Sequence, residues 1–131
     1  IVKLSDEDLN YLHPEWSKDA LETFAKEYAP QLFVYTAGSD GLVGLTRLGV
    51  SVRVPAVLPG VLADTVGAGD SLHGALLSEI ERLNLIRDQI SRLDRDQLSE
   101  ILIFASRAAG INCTRAGCQP PTRQEIARIF G

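Results

Sequence analysis

Three short, apolar and β-rich runs follow one another in the first half of the chain, at residues 32–36, 42–46 and 50–57. Glycine-containing turns separate these runs, and amphipathic helical patterns lie before and after them. The patterns predict helices over residues 5–12 and 21–28, from residue 68 or 69 onwards, over 98–112 and over 123–130, with a polar connection at 84–94. This succession predicts an α/β domain with helices packed on a sheet.

Composition narrows the class of protein. With 131 residues, 45% hydrophobic and 23% charged, the chain is long enough for one domain with its own core. A net charge of -4 without a basic stripe argues against a nucleic-acid partner. The sequence contains no apolar run of about 20 residues and no signal-peptide pattern, which predicts a cytoplasmic protein with no membrane partner.

Several single residues have simple interpretations. Cys113 and Cys118 are interpreted as reduced thiols, since a zinc site would need further ligands and the two histidines are remote in sequence. Trp16 is interpreted as an anchor at the edge of the core. A first residue Ile1 and the absence of methionine indicate a piece of a longer protein.

The segment Gly67-Ala68-Gly69-Asp70 opens one of the predicted helices. Small residues there let backbone N–H groups approach an anion, and the helix dipole adds positive potential. A phosphate suits such a site, and Asp70 would add a proton acceptor beside it. The segment lacks the Lys-Ser/Thr ending of a Walker A loop and is not a dinucleotide fingerprint, so these residues alone leave a plain structural turn open.

The stretch from residue 64 to residue 77, Asp-Thr-Val-Gly-Ala-Gly-Asp-Ser-Leu-His-Gly-Ala-Leu-Leu, resembles the second signature of the PfkB-type (ribokinase-like) carbohydrate kinases over its full length. The resemblance implies that Asp70 is the catalytic base. It also implies that the amides of Gly67, Ala68 and Gly69 form the anion hole for the transferred phosphate.

Segment 36–41 is similar to the strand-end loop that contacts ATP in this family, which implies nucleotide contacts by Thr36, Gly38 and Gly41. A plain hairpin turn is the alternative for this segment.

Residues 104–118 resemble the family's C-terminal helix and turn beside the adenine, with Ser106 at an adenine-contacting position. Residues 3–8 look like the segment near magnesium and the phosphates, in the Lys-x-Ser form of fructokinase-like members, which implies a nucleotide contact by Ser5. Where the family often has Asn-x-x-Glu, this chain has Ser5-x-x-Asp8.

Many members of the family also bind a monovalent cation beside the anion hole, mostly through backbone carbonyl groups. The resemblance therefore implies a potassium site whose matching positions are Asp64, Val66, Asn112, Arg115, Gly117 and Pro121. For Asp64, a turn residue that bonds its own backbone is the alternative.

The resemblance implies a three-layer α/β/α fold of which residues 1–131 form a single domain, the C-terminal nucleotide-binding and catalytic part, without the sugar-binding N-terminal half. It implies phosphorylation of a sugar hydroxyl with ATP and Mg²⁺, as in a fructokinase. Kinases for ketodeoxygluconate, ribose or a nucleoside are alternatives, as is a non-catalytic regulatory protein, which the intact Asp70 disfavours. The isolated chain is expected to be inactive, and a homodimer of the intact protein stays open.

Overall fold

The computed structural model describes residues 1–14 and 20–131. The strands are β1 Val2–Ser5, β2 Leu32–Thr36, β3 Leu42–Thr46 and β4 Ser51–Val54. The helices are α1 Asp6–Leu12, α2 Ala20–Tyr28, α3 Ala68–Arg82, α4 Arg87–Ser91, α5 Arg95–Cys113 and α6 Arg123–Phe130, and a 3-10 turn, Gly38–Asp40, follows β2. Trp16 lies outside the described residues.

The four strands form one sheet in the order β1-β2-β3-β4. β1 runs parallel to β2, with Ser5 opposite Thr36 at the carboxyl ends of both strands. β2, β3 and β4 are joined in antiparallel fashion. The parallel pair therefore brings the end of β1 and the end of β2 to the same edge of the sheet.

Helices cover both faces of the sheet and make three layers. On one face, α3 and α5 pack on the inward side chains of the sheet, with Leu76, Leu98 and Ile101 fully buried. On the other face, Leu9 of α1 and Phe24 of α2 pack with Phe33 of β2. This arrangement confirms the α/β/α fold.

The sequence of β2 is a nearly continuous apolar run because helices cover both faces of this strand. Leu32 and Val34 belong to the core under α3 and α5, whereas Phe33 belongs to the core under α1 and α2. Phe24 stacks on Phe33 with 5.0 Å between ring centroids.

Three helices begin with reciprocal side-chain caps, in which the cap residue accepts a backbone N–H and the third helical residue accepts the N–H of the cap residue. The pairs are Ser5 with Asp8 for α1, Asp94 with Gln97 for α5, and Thr122 with Glu125 for α6. The caps at Ser5 and Thr122 fix the starts of the helices predicted over residues 5–12 and 123–130.

The structure differs from the expected elements in three places. β1 was not predicted, because four residues are too short to show a strand pattern without their parallel partner. β4 ends at Val54 rather than at residue 57, since Pro55 has no N–H to donate to the ladder. The connection at 84–94 contains α4, whose Ile90 is buried in the main core.

Both cysteines are free thiols, as the sequence predicts. Burial raises the pKa of the Cys113 thiol, and the nearby Asp64 charge raises it further. None of the helices within the described residues combines the length and the apolar character needed to cross a bilayer.

A buried carboxylate joins α3 to the start of α6. Glu79 forms ion pairs with Arg82, at 2.8 Å, and with Arg123, whose guanidinium also lies 4.4 Å above the ring of Phe104. Burial alone would raise the pKa of Glu79, but hydrogen bonds from the two arginines outweigh it and hold this pKa below 4.5. The charge of Glu79 therefore stabilises the folded chain.

Replacing Glu79 by glutamine in the intact gene product should lower the free energy of unfolding at pH 7 by about 1 to 2 kcal/mol, because two charge-assisted bonds weaken. Because folding lowers the pKa of Glu79, the difference in unfolding free energy between the two proteins should have its full value above about pH 4.5. It should shrink as the pH falls through the folded-state pKa, where the wild-type side chain becomes neutral as well. Urea unfolding at several pH values measures this difference.

The exposed Glu81→Gln variant on the same helix is the control and should leave stability unchanged. A pH-independent loss of stability in Glu79→Gln would contradict the charged role of Glu79.

Candidate functional site

The start of α3 has the geometry expected of an anion site. Gly67 precedes the helix in the left-handed conformation, with φ 75° and ψ 5°. The first α-helical bond runs from Ser71 N–H to Gly67 C=O at 2.9 Å, so the amides of Gly69 and Asp70 come before the hydrogen-bond ladder. The amide of Ala68, predicted as part of the anion hole, closes a turn by donating to Thr65 C=O at 3.1 Å.

Two separate constraints require glycine at position 67. Its positive φ disfavours any residue with a Cβ. A Cβ at this position would also overlap the Sγ atom of Cys118. Cys118 therefore lies directly behind Gly67 at the predicted anion hole, a contact that the sequence analysis did not anticipate.

An acidic and a basic side chain flank these amides. Asp70, in the first turn of α3, is exposed and accessible to another molecule. The ammonium of Lys3 reaches the same helix start from β1, because a Cβ on Gly69 would lie 2.9 Å from Lys3 Nζ. The helix start thus carries a proton acceptor and a fixed positive charge.

A small cleft opens beside Asp70, between α3, α5 and the segment leading to α6. Its volume is about 270 Å³, and Ser71, Cys118 and Arg123 contribute to its lining. Ser71 Oγ is buried and has no hydrogen-bond partner within the described residues.

Two of the predicted nucleotide residues meet at the carboxyl edge of the parallel strands. Ser5 and Thr36 are paired neighbours there. The hydroxyl of Ser5 caps α1 by accepting from Asp8 N–H at 3.0 Å, and Asp8 Oδ2 accepts from Ser5 N–H at 2.9 Å. These bonds lower the pKa of the Asp8 carboxyl, the backbone bond contributing most.

Gly38 and Gly41 lie in the tight turn after Thr36, where Ala37 N–H donates to Gly41 C=O at 2.9 Å. Gly41 has φ 90° and lies against residues 54–56, so that a Cβ there would overlap the Val54 carbonyl oxygen. The turn therefore rests on the end of β4.

Ser106 approaches the same segment from α5. Its side chain is buried, with 3% of the residue exposed, and Oγ donates to Pro55 C=O at 3.0 Å. Gly41 and Ser106 are thus brought together around Pro55. The hydroxyl of Ser106 holds the chain after β4, and its contact with adenine stays a prediction.

Four of the predicted cation residues, Asp64, Val66, Asn112 and Gly117, are linked by hydrogen bonds. The carboxylate of Asp64 accepts from Val66 N–H at 3.0 Å and from Gly117 N–H at 2.9 Å. These two amides lower the pKa of Asp64. Asn112 Nδ2 donates to Val66 C=O at 2.8 Å.

Arg115 points away from these bonds. Its guanidinium donates to Gln119 C=O at 3.0 Å and forms an ion pair with Glu125 of α6 at 2.8 Å. Asp64 was predicted either to bind a cation or to bond the backbone of its own turn. The hydrogen bond from Val66 N–H to the Asp64 carboxylate is the turn interaction. Within the described residues, His, Cys, Asp and Glu side chains form no cluster of three suited to a metal ion. The potassium site at these positions stays a prediction.

Sequence reasoning underestimated Lys3 and overlooked Cys118 and Gln119. The alternation of Val2, Lys3 and Leu4 is the signal that could have placed Lys3 on the α3 side of the sheet, once β1 was identified as a strand. No local signal identifies Cys118 or Gln119, because their contacts cross between loops distant in sequence.

Comparison with known proteins agrees with this geometry. Residues 2–125 match the model of the pfkB family carbohydrate kinases. A fructokinase of Rhizobium leguminosarum bv. trifolii is 36% identical over 99 residues, which are 75% of this chain and 30% of that protein.

Two solved structures share the fold at lower identity. Fructokinase with bound ATP from Xylella fastidiosa has a TM-score of 0.83 and 24% identity, covering 98% of this chain and 41% of that one. Fructokinase from Vibrio cholerae O395 in its fructose, ADP and potassium ion bound form has a TM-score of 0.77 and 22% identity, covering 99% and 40%. This chain therefore spans well under half the length of the proteins that it resembles.

Because the family match extends from residue 2 to residue 125, the chain belongs to the pfkB family of carbohydrate kinases.

Proposed function

We propose that this chain is the nucleotide-binding and catalytic part of a fructokinase-like enzyme that transfers the γ-phosphoryl group of ATP to a sugar hydroxyl. The observation that carries the proposal is the start of α3, where amides free to bind an anion adjoin the Asp70 carboxylate and the Lys3 ammonium. The fructokinase among the relatives, 36% identical, favours a ketose acceptor over the alternatives.

Asp70 acts as the general base. Its carboxylate takes the proton of the acceptor hydroxyl as that oxygen bonds to the γ-phosphorus and the bond to the bridging oxygen of ADP breaks. The exposed position of Asp70 in the first turn of α3 keeps the carboxylate within reach of an acceptor. ADP carries away the electron pair of the broken bond, and Asp70 later returns the proton to solvent.

Positive potential at the helix start stabilises the transferred group. The amides at Gly67, Gly69 and Asp70 and the α3 dipole point toward the oxygens of the phosphoryl group. Lys3 adds a full charge at the same place, next to Gly69. Because the helix start holds its amides in position before ATP arrives, the amides need no reorganisation during transfer.

The nucleotide would lie along the edge from Gly67 to Ser106. Thr36 and Ser5, at the ends of the parallel strands, and the turn with Gly38 and Gly41 would contact phosphates and ribose. Support comes from the packing of Gly41 and Ser106 against Pro55, which brings the turn after β2 and the helix α5 to the same segment.

Mg²⁺ accompanies ATP in this proposal. The exposed carboxylate of Asp8 fits the oxygen ligands that Mg²⁺ prefers, and its lowered pKa keeps it ionised at neutral pH. When bound, the metal neutralises charge on the β- and γ-phosphates. The chain's own contribution is the fixed position of Asp8, held by Ser5.

Asp70→Asn in the intact gene product should abolish turnover with little change in ATP affinity. Asparagine keeps the shape and the backbone amide but cannot accept the proton, so the rate constant should fall about a hundred- to ten-thousandfold. Steady-state kinetics with fructose and calorimetric ATP titration measure the two quantities. Retention of more than about a tenth of the wild-type rate would exclude Asp70 as the base.

Lys3→Met keeps the aliphatic stem and removes the ammonium that faces Gly69. The value of kcat should fall by about a hundredfold, the usual effect of removing one electrostatic contact to the transferred group. Lys26→Met, on α2 in the opposite layer, removes the same charge from an exposed position and should leave kcat unchanged. Equal effects of the two substitutions would contradict a local role for Lys3.

The isolated 131-residue chain should not phosphorylate any sugar, because it spans well under half the length of the fructokinases that it resembles and most acceptor contacts would come from outside it. A coupled ADP-release assay with fructose, ribose, ketodeoxygluconate and a nucleoside tests this expectation. The same panel applied to the intact gene product separates the fructokinase proposal from its alternatives, and ATP binding without turnover on every acceptor would favour the regulatory alternative.

A further inference from the structure

The cleft beside Asp70 has a buried polar atom in its wall that no group of the protein satisfies. Ser71 is 6% exposed, and its Oγ atom has no hydrogen-bond partner within the described residues. A buried hydroxyl without a partner is not compensated for the hydration that it loses. Because Ser71 lines the cleft, its hydroxyl is open to a hydrogen bond with a polar group placed there.

The size of the cleft limits what can occupy it. Its volume is about 270 Å³. Sites for drug-sized ligands have volumes of roughly 300 to 1,000 Å³, so this cleft suits a group of a few heavy atoms.

Cys118 lies in the wall of the same cleft. Its thiol is free and the residue is exposed. On one side, Sγ is in contact with Gly67. A group attached to Sγ therefore cannot extend toward Gly67 without moving the backbone there, whereas the cleft offers the room that such a group needs.

The second free cysteine has a different environment. Cys113 is partly buried at the end of α5 and is not among the described residues that line the cleft. Burial raises the pKa of the Cys113 thiol, and the charge of Asp64 raises it further, so less of the reactive thiolate forms. Of the two cysteines in the sequence, Cys118 is the one suited to reaction with a small molecule.

We propose that Cys118 is a site of reversible modification by small polar disulfides, and that the attached group occupies the cleft beside Asp70 and suppresses phosphoryl transfer. The Cys118 thiolate attacks one sulfur of the disulfide, and a new S–S bond forms as the old one breaks. The other half leaves as a thiolate, which takes up the proton that the Cys118 thiol has lost. An excess of a reducing thiol reverses the exchange.

The attached group would affect the start of α3 in two ways. Asp70 also lines the cleft, so the group would lie beside the carboxylate that takes the proton of the acceptor. A displacement of Sγ would also move Gly67, whose left-handed conformation directs the first amides of α3. The loss of turnover rests on the proposed kinase function, whereas the modification of Cys118 does not.

The first experiment measures the modification itself. The intact gene product is exposed to hydroxyethyl disulfide for increasing times in mildly alkaline buffer and quenched with acid, and its peptides are analysed by mass spectrometry. Cys118 should acquire the hydroxyethylthio group about tenfold faster than the less exposed Cys113. Equal rates at the two cysteines, or a faster rate at Cys113, would overturn the inference. This measurement needs no turnover, so a failure of the kinase proposal would not hide its result.

The second experiment tests whether the attached group lies in the cleft beside Ser71. Dithiothreitol should release the hydroxyethylthio group from Ser71→Ala about two- to tenfold faster than from the wild type, because one hydrogen bond to the attached hydroxyl is lost. The methylthio group left by methyl methanethiosulfonate has no hydroxyl and is the matched control, which both proteins should release at the same rate. Equal release of the hydroxyethylthio group from both proteins, or an equal acceleration for both groups, would contradict this placement.

Kinetics give the third readout, with potassium, magnesium and ATP held constant. Modification with hydroxyethyl disulfide should lower kcat of the wild type about ten- to a hundredfold, as expected for a small displacement in the site, and dithiothreitol should restore it. Cys113→Ser is the control for the neighbouring thiol and should respond as the wild type does. Cys118→Ser should have the same kcat before and after treatment.

Circular dichroism before and after modification should be the same, because the group fits a cleft that is already present. Full kcat with Cys118 modified, a loss of kcat in treated Cys118→Ser, or unfolding of the modified wild type would each overturn the inference. If Cys118→Ser does not fold, Cys118→Ala replaces it with the same expected insensitivity to the disulfide.

Discussion

The segment between β4 and α3 depends on α5 for its shape. Residues 55–66 contain no helix or strand, so their backbone polar groups must find partners elsewhere. α5 supplies several of them along one side: the Ser106 hydroxyl bonds Pro55 C=O, and Cys113 C=O accepts from both Ala63 N–H and Asp64 N–H. Where the segment passes closest, α5 has Gly110, since a Cβ there would overlap the Val57 carbonyl oxygen.

Because this segment ends at Gly67, the position of the predicted anion hole depends on the position of α5. α5 is itself fixed by the main core, in which Leu98, Ile101, Leu102 and Ala105 are fully buried. α5 thus positions this segment, and the segment leads directly into the first turn of α3. The geometry at the start of α3 therefore depends on how α5 packs in the core.

The sequence predicted best what depends on neighbouring residues. The starts of the helices predicted over residues 5–12 and 123–130 follow from local hydrogen bonding at Ser5 and Thr122, and the helix predicted over residues 21–28 ends at Tyr28 in the structure. The glycine motif likewise identified the start of α3, because a left-handed residue before a helix is a local requirement.

Contacts between segments distant in sequence could not be predicted from local sequence patterns. β1 becomes a strand only through its parallel pairing with β2. The approach of Lys3 to Gly69 therefore could not be predicted from the local sequence either. The contact of Cys118 with Gly67 depends on how two loops meet, which no spacing reveals. For Ser106, the predicted contact with adenine stays a prediction, and its hydroxyl bond to Pro55 required the structure.

The order of the strands has a consequence for how the sheet forms during folding. β2, β3 and β4 pair through the short connections 37–41 and 47–50, so these hairpins close rapidly. β1 must instead join its parallel partner across α1 and α2, a longer closure that is slower in general. Because Lys3 lies in β1, its ammonium comes close to Gly69 only where β1 is paired with β2, so the positive charge at the start of α3 depends on the longer of these closures.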